Sequence, residues 1–351
     1  MDVKSSGNSS HGRSILFVVP RFHTNLVGAV ATLVDAGYKV HVFARMSARL
    51  EDHSSVIPDV FGKDPLRQDI QDRIAEIQPD VCFLRESGAL SDLVRSALRG
   101  GKTKTYLYSL RAADTPLSFV RRVRNKLQGR PIDRVTPVPG LTSKQAPRTT
   151  LLPWPIAGQS PQLPRSDGPL RILCVGKLTQ PRKNLLMVLN SVTKGDAKFE
   201  LTFAGASDIM PSDGDATILE ALDNAAKTCP PDRKVTVLRD VPFDQMHHLY
   251  HTHDICVLAA SGEPLGMAPL EAMAFGCAPV IETSAGSAGY VTHGQNGWHM
   301  DCTYPASLNT VLDPLMRTPS DVDDIRKAAH QTSLDMLSPS AFLHRIETLM
   351  S

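Results

Sequence analysis

Residues 254–281 read DICVLAASGEPLGMAPLEAMAFGCAPVI, and the fold follows from this stretch. Asp254–Leu258 is a short apolar run, the pattern of a buried strand. A loop carrying Glu263 follows, and residues 266–275 are rich in helix formers. Ala278–Ile281 is a second apolar run. Strand, loop, helix and strand in this order make two parallel strands joined by a crossover helix. The helix opens at Gly266, Met267 and Ala268, where backbone N–H groups have no intrahelical acceptor and favour an anion. Gly266 lets such an anion come close to the backbone. Glu271 lies on the helix, eight positions after Glu263.

The same alternation runs outward in both directions. Strands are expected at Leu170–Val175, Phe199–Ala204 and Lys234–Leu238, with helices at 183–193, 215–227 and 243–251. Earlier in the chain, strands are expected at Ser14–Pro20, Lys39–Ala44, Asp80–Leu84 and about 103–110, with helices at 25–36, 65–78 and 89–99. Seven prolines between 139 and 169 interrupt the pattern, and that region reads as an irregular connection and a linker. The expected organisation is a disordered tail over 1–13 and a Rossmann-like domain over 14–155. A linker over 156–169, a second Rossmann-like domain over 170–335 and a helix over 336–351 returning to the first domain complete it. Two such α/β domains leave a cleft between them, where the carboxyl ends of strands bind ligands.

The 351 residues carry a formal charge of +2, which hides an asymmetry. Residues 1–150 hold 23 Lys and Arg against 14 Asp and Glu, and the remainder holds 15 against 22. A basic first half suits an anionic lipid or glycan; nothing in the pattern points to nucleic acid. The six cysteines form no C-x-x-C pair, as in a reduced cytoplasmic chain without a disulfide framework or zinc site. The tail lacks the apolar core of a signal peptide, and no apolar run reaches the length of a membrane span.

The segment from Glu263 to Glu271 resembles the E-x7-E signature of retaining GT-B glycosyltransferases of the family 4 type. The text that follows, EAMAFGCAPVIETSAGSAGYVTHGQNGW (271–298), is similar to that family's EAMA-x-G-x-PVI and glycine-rich turn, and the likeness spans about Leu170 to Met300. The resemblance implies a GT-B architecture of two Rossmann-like domains facing across a cleft. It implies transfer of a hexosyl unit from a nucleotide-diphosphate-sugar, UDP- or GDP-linked, to a hydroxyl of a glycan or lipid-linked acceptor in cell-surface polysaccharide or glycolipid synthesis. It places Glu263 on the transferred sugar and Glu271 on the ribose hydroxyls, a role that suits a carboxylate because its two oxygens accept from both.

Upstream, Val175–Asn184 reads VGKLTQPRKN. Family members carry Arg then Lys here to clamp the donor diphosphate. Lys177 stands where the Arg is expected, Lys183 matches the Lys, and the neighbouring Arg182 is a further cation. Lysine is a point charge without a bidentate fork, so the phosphate is held less tightly. With these cations on the leaving group the resemblance implies no cofactor and no metal. It also implies retention by a front-face route, in which the departing phosphate takes the acceptor's proton. Base recognition is expected near Ala204–Gly205 and Asp240–Phe243.

The first half is less specific. His23 follows the first strand, and Arg85, Glu86 and Arg111 fall at expected strand ends; all are candidates for the acceptor or the sugar. Phe119–Arg134, FVRRVRNKLQGRPIDR, is a basic amphipathic stretch. It suits either the surface of an anionic membrane or a helix packed on its own domain with a solvated basic face. Asp213–Gly214–Asp215 is a D-x-D in a polar loop, where Asp215 reads as a helix cap. Three alternatives share the architecture. One is a nucleotide-sugar epimerase or phosphorylase, and another a non-catalytic nucleotide-sugar-binding protein. The third, a dinucleotide-dependent dehydrogenase, lacks its G-x-G-x-x-G between a first strand and its helix.

Overall fold

The computed structural model describes residues 12–351 except 23, 48–52, 86–87, 128, 130–132, 143, 159–167 and 210–213, and leaves out the side chains at 24, 25, 243 and 244. The chain forms two compact units. The first comprises residues up to Pro137, then Lys144–Pro155 and Pro339–Ser351; the second comprises Val138–Ser143 and Ile156–Ser338.

The first unit is a parallel sheet with helices between its strands. Its elements are β1 (Ser14–Arg21), α1 (Thr24–Asp35), β2 (Lys39–Met46), β3 (Asp59–Val60), α2 (Arg67–Ile77) and β4 (Val81–Arg85). They continue with α3 (Ala89–Ala97), β5 (Lys104–Tyr108), α4 (Phe119–Leu127), β6 (Arg134–Thr136) and β7 (Thr149–Leu151). The strand order is β3-β2-β1-β4-β5-β6-β7, and every pairing is parallel. A strand at the centre of a parallel sheet is covered on both faces and is apolar throughout rather than alternating. β1 obeys this rule, with its first six residues buried. Leu16, Val18, Phe43, Cys82 and Leu84 from the strands pack against Ile70, Ile74, Leu90 and Val94 from α2 and α3.

Two expectations fail in this unit. The basic stretch 119–134 is not one helix: α4 stops at Leu127, and Arg134 is a buried strand residue donating to the carbonyls of Ala112 and Thr115 and to Thr149 Oγ1. The proline-rich region after 139 is not wholly irregular, because β7 lies inside it. β6 and β7 are three residues each, too short to show a period of two.

The second unit begins with β8 (Leu170–Val175), α5 (Leu185–Thr193), β9 (Phe199–Gly205), α6 (Ala216–Thr228), β10 (Lys234–Arg239) and α7 (Phe243–Thr252). It goes on through β11 (Ile255–Leu258), α8 (Met267–Ala274), β12 (Ala278–Glu282), β13 (Trp298–Met300), α9 (Ala306–Arg317) and α10 (Asp323–Leu337). The order β10-β9-β8-β11-β12-β13 is again wholly parallel. The chain runs outward from β8 to β10, then returns to β11 on the other side of β8. The switch point therefore lies at the carboxyl ends of β8 and β11, where a doubly wound sheet opens a crevice. Ile172, Cys174, Leu201, Phe203, Val257 and Val280 form the strand side of an apolar core in this unit.

The last helix, α11 (Pro339–Met350), belongs to the first unit. Phe342 is fully buried with its ring centroid 6.2 Å from that of Trp154, which in turn lies 5.3 Å from Tyr108. Tyr106 Oη and Lys104 Nζ donate to the carbonyls of Leu349 and Met350. All six cysteines are free, and burial raises the thiol pKa of Cys82, Cys174, Cys256 and Cys277. Among the described residues, no helix is long and apolar enough to cross a membrane. Phe342→Ala removes the aromatic anchor of α11 and is expected to cost about 3–5 kcal/mol, read as an earlier unfolding midpoint in denaturant; an unchanged midpoint would contradict this account of the helix.

Candidate functional site

The site of the second unit grows from two backbone segments fastened side by side. After β8 the chain passes through Gly176 and Lys177 into a single turn of 3-10 helix, Pro181–Lys183, which ends at Asn184 in a left-handed conformation (φ 51°). This conformation aims the Asn184 side chain back at the end of β11. Its amide nitrogen donates to Ala259 O at 2.7 Å and to Ser261 Oγ at 3.0 Å. Ser261 N donates in turn to Arg182 O at 3.0 Å. The loop after β11 is tied on its other side, where Gly286 N and Ser287 N donate to the carbonyls of Glu263 and Leu265.

These ties bring three charges together. Glu263 Oε2 accepts from Lys183 Nζ at 2.6 Å and from Arg182 Nη1 at 2.8 Å. The Glu263 and Lys183 side chains are only 16% and 12% exposed, and Arg182 reaches further into solvent. Burial alone would raise the Glu263 pKa, but the hydrogen bonds and charges of Lys183 and Arg182 together carry it below its ordinary value. Lys177 takes a different partner, Asp208, at 3.6 Å. The cation beside Lys183 on this carboxylate is Arg182; the pairing of Lys183 with Lys177 in the sequence concerns the donor diphosphate.

Two glycines are required by the geometry. Gly205, at the end of β9, has φ 155°, and a Cβ there would lie 1.7 Å from Gly176 O. The two strand ends can approach this closely only without that side chain. Gly266 caps α8 with φ 80°, and a Cβ there would meet Leu258 Cδ2 at 2.6 Å. α8 then presents the amides of Met267 and Ala268 at its first turn, while Pro269, also in that turn, supplies none.

Glu271 sits further along α8 in different surroundings. Its Oε2 accepts a 2.7 Å hydrogen bond from Tyr250 Oη, and Tyr250 on α7 is buried. Burial raises the Glu271 pKa, partly offset by the Tyr250 hydrogen bond. One carboxylate is therefore held by cations and the other by a neutral phenol in a poorly hydrated place. Perturbed groups of opposite sense at a strand-end crevice mark a functional site. Beyond β9 and β10, Asp240 accepts from Ser207 N and Ser207 Oγ, which lowers its pKa and shapes the loop beside Gly205. Asp215 caps α6, accepting from Thr217 N at 2.9 Å.

In the first unit, Arg85 ends β4 with its guanidinium 5.2 Å from the centre of the Tyr108 ring. Arg111 is exposed beyond β5, where its backbone N–H donates to Ser109 Oγ. His23, Glu86 and Asp213 lie outside the described residues. Among the described residues, no group of three or more His, Cys, Asp or Glu side chains is placed to hold a metal ion. Tyr250, Asn184 and Asp208 were not legible as site residues. The first two touch groups 21 and 75 positions away, and Lys177 lies 31 positions from Asp208, contacts that only the folded sheet creates.

Two Rossmann-like units define an α/β protein of the doubly wound class, and the cations and carboxylates of the second gather at its switch point. Residues 157–332 match the family model for glycosyl transferases group 1. The chain belongs to the glycosyl transferases group 1 family. Its fold is the GT-B fold of solved glycosyltransferases. Sucrose-phosphate synthase of Thermosynechococcus elongatus superposes with TM-score 0.70 at 16% identity, over 96% of this chain and 98% of the other. A glycosyltransferase of Rickettsia africae gives 0.73 at 14% identity, over 97% and 98%. Anabaena HepE in complex with UDP and glucose gives 0.68 at 14% identity, over 96% and 99%. Comparison with curated protein sequences finds no match.

The two glutamates are expected to contribute to stability with opposite signs. Glu263 has a lowered folded-state pKa, so its contribution is present above the unfolded value of about 4.3 and lost as pH falls. Glu263→Gln should therefore cost about 1–3 kcal/mol at neutral pH, with the gap closing in acid. Glu271 has a raised pKa, so its ionisation costs stability above the unfolded value, and Glu271→Gln should be neutral or stabilising at pH 7. Urea unfolding of both variants between pH 4 and pH 8 checks this; losses of the same sign and pH profile would refute it.

Proposed function

We propose that the chain is a retaining glycosyltransferase that moves a hexosyl unit from a UDP- or GDP-sugar to a hydroxyl of a glycan or lipid-linked acceptor. The observation that carries this reading is the trio of Lys183, Arg182 and Glu263 at the carboxyl ends of β8 and β11, beside the start of α8. The complexes of Anabaena HepE with UDP and with UDP-glucose support the UDP donor by analogy of fold.

In this reading the diphosphate lies over the first turn of α8, where the amides of Met267 and Ala268 face it, with Lys183 and Arg182 alongside. Breaking the anomeric bond leaves negative charge on the diphosphate. Cations and amides already fixed in place stabilise that charge without reorganising during the reaction. This assignment has the chain itself, rather than a metal or another cofactor, supply the positive charge. Glu263 holds the two cations apart and in register, and faces the sugar. Glu271, with one oxygen on Tyr250, turns the other to the ribose hydroxyls. Lys177 reaches the phosphate by leaving Asp208, a partner across an exposed 3.6 Å pair that costs little to break. The departing phosphate accepts the acceptor proton on the same face as bond formation, so no protein nucleophile is needed and the anomeric configuration is kept. Arg85, Arg111 and His23 belong to the acceptor and sugar side. The free cysteines support a reducing, cytoplasmic setting, and synthesis of a cell-surface polysaccharide or glycolipid fits such an acceptor.

A thermal-shift screen of UDP-, GDP-, ADP- and dTDP-sugars is expected to show stabilisation by one base class, unaffected by a chelator. Lys183→Met should lower kcat on the order of a hundredfold, whereas Glu271→Ala should chiefly weaken nucleotide binding. Stabilisation by none of these donors would remove the reading. Formation of an epimerised sugar nucleotide without acceptor would replace transfer by epimerisation.

A further inference from the structure

The helix α4 carries its apolar side chains away from the protein. Phe119 is 77% exposed, Val120 75%, Val123 41% and Leu127 82%. The one buried residue of the helix is polar, Asn125. At 3.6 residues per turn, the four apolar residues share one arc roughly 100° wide, and Asn125 falls about diametrically opposite its centre. The helix therefore rests on its own unit through its polar side. This removes the reading of a helix packed by its apolar face with a solvated basic back.

Cations border the apolar arc on both sides. Arg122 and Lys126 lie along one edge and Arg124 along the other, all three exposed. No Asp or Glu occurs between Asp114 and Asp133. Apolar residues facing outward, flanked by basic ones and with no acid among them, match an interface that is hydrocarbon at depth and anionic at its rim. A helix of nine residues lies in such a plane; it does not cross it.

We propose that α4 docks the protein on an anionic lipid bilayer. Phe119, Val120, Val123 and Leu127 enter the boundary between headgroups and acyl chains, while Arg122, Arg124 and Lys126 take the lipid phosphates. This surface belongs to the first unit alone and is independent of the donor chemistry at the second.

The test is co-sedimentation of the full chain with vesicles of phosphatidylcholine containing about one-third phosphatidylglycerol, against phosphatidylcholine alone. The protein is expected to bind the anionic vesicles, to bind less in high salt, and to remain in the supernatant with neutral ones. The Phe119→Ser/Leu127→Ser and Arg122→Glu/Lys126→Glu double variants should each bind at least about tenfold more weakly. Their unfolding midpoints should match the parent, because the changed side chains are exposed. With Phe119→Trp, the fluorescence of the new indole should shift to the blue on adding anionic vesicles. A parent protein that ignores anionic vesicles, variants that bind as the parent does, or an unmoved Phe119→Trp emission would each overturn the proposal. So would concentration-dependent dimerisation abolished by Phe119→Ser/Leu127→Ser without vesicle binding, which would make this face a contact between copies of the chain.

Discussion

The contact between Lys183 and Glu263 holds the candidate site in shape. It joins residues 80 positions apart across a distance of 2.6 Å, and both side chains are largely withdrawn from water. A lone lysine or glutamate in that position would be costly to bury. Together, with Arg182 on the same oxygen, they form a fixed cluster with one net positive charge. The Asn184 amide makes this possible by fastening the turn after β8 to the carbonyl of Ala259. The sheet order places the two segments as neighbours at the outset, because β8 and β11 pair directly.

The two glutamates differ through their environments rather than their chemistry. Glu263 is stabilised as an anion by the cations it organises. Glu271 is held where burial raises its pKa, with the Tyr250 hydroxyl on one oxygen. A carboxylate retained there at some cost to folding is characteristic of a group kept for a ligand. The α8 helix carries both requirements in one element: Gly266 opens it in a conformation most residues avoid, and Glu271 begins its second turn.

Much of this was legible before the structure. The apolar runs around β1, β2, β4 and β8 to β12 are long enough, and sufficiently β-branched, to read as buried parallel strands. Gly266, Glu263 and Glu271 sit where the strand–loop–helix text predicts. What was not legible depends on contacts rather than on local pattern. β6, β7 and β13 are three-residue strands defined by pairing with the strand beside them rather than by a pattern of their own. Arg134 falls in a stretch that reads as basic and amphipathic, and it is a buried donor tying carbonyls beyond β5. The 3-10 turn at Pro181 brings residues 182 and 183 onto the same carboxylate, while Lys177 pairs with Asp208. For α4, the sequence shows an amphipathic basic stretch, but only the burial of Asn125 shows which side faces the protein.

Glu263 and Lys183 act as one unit. The most direct test is a double-mutant cycle with Glu263→Gln and Lys183→Met, read by urea unfolding at neutral pH. A coupling of about 1–3 kcal/mol between the two substitutions is the predicted result. Substitutions that add to within about 0.5 kcal/mol would contradict it, because residues that do not depend on each other cannot be what fastens the two segments together.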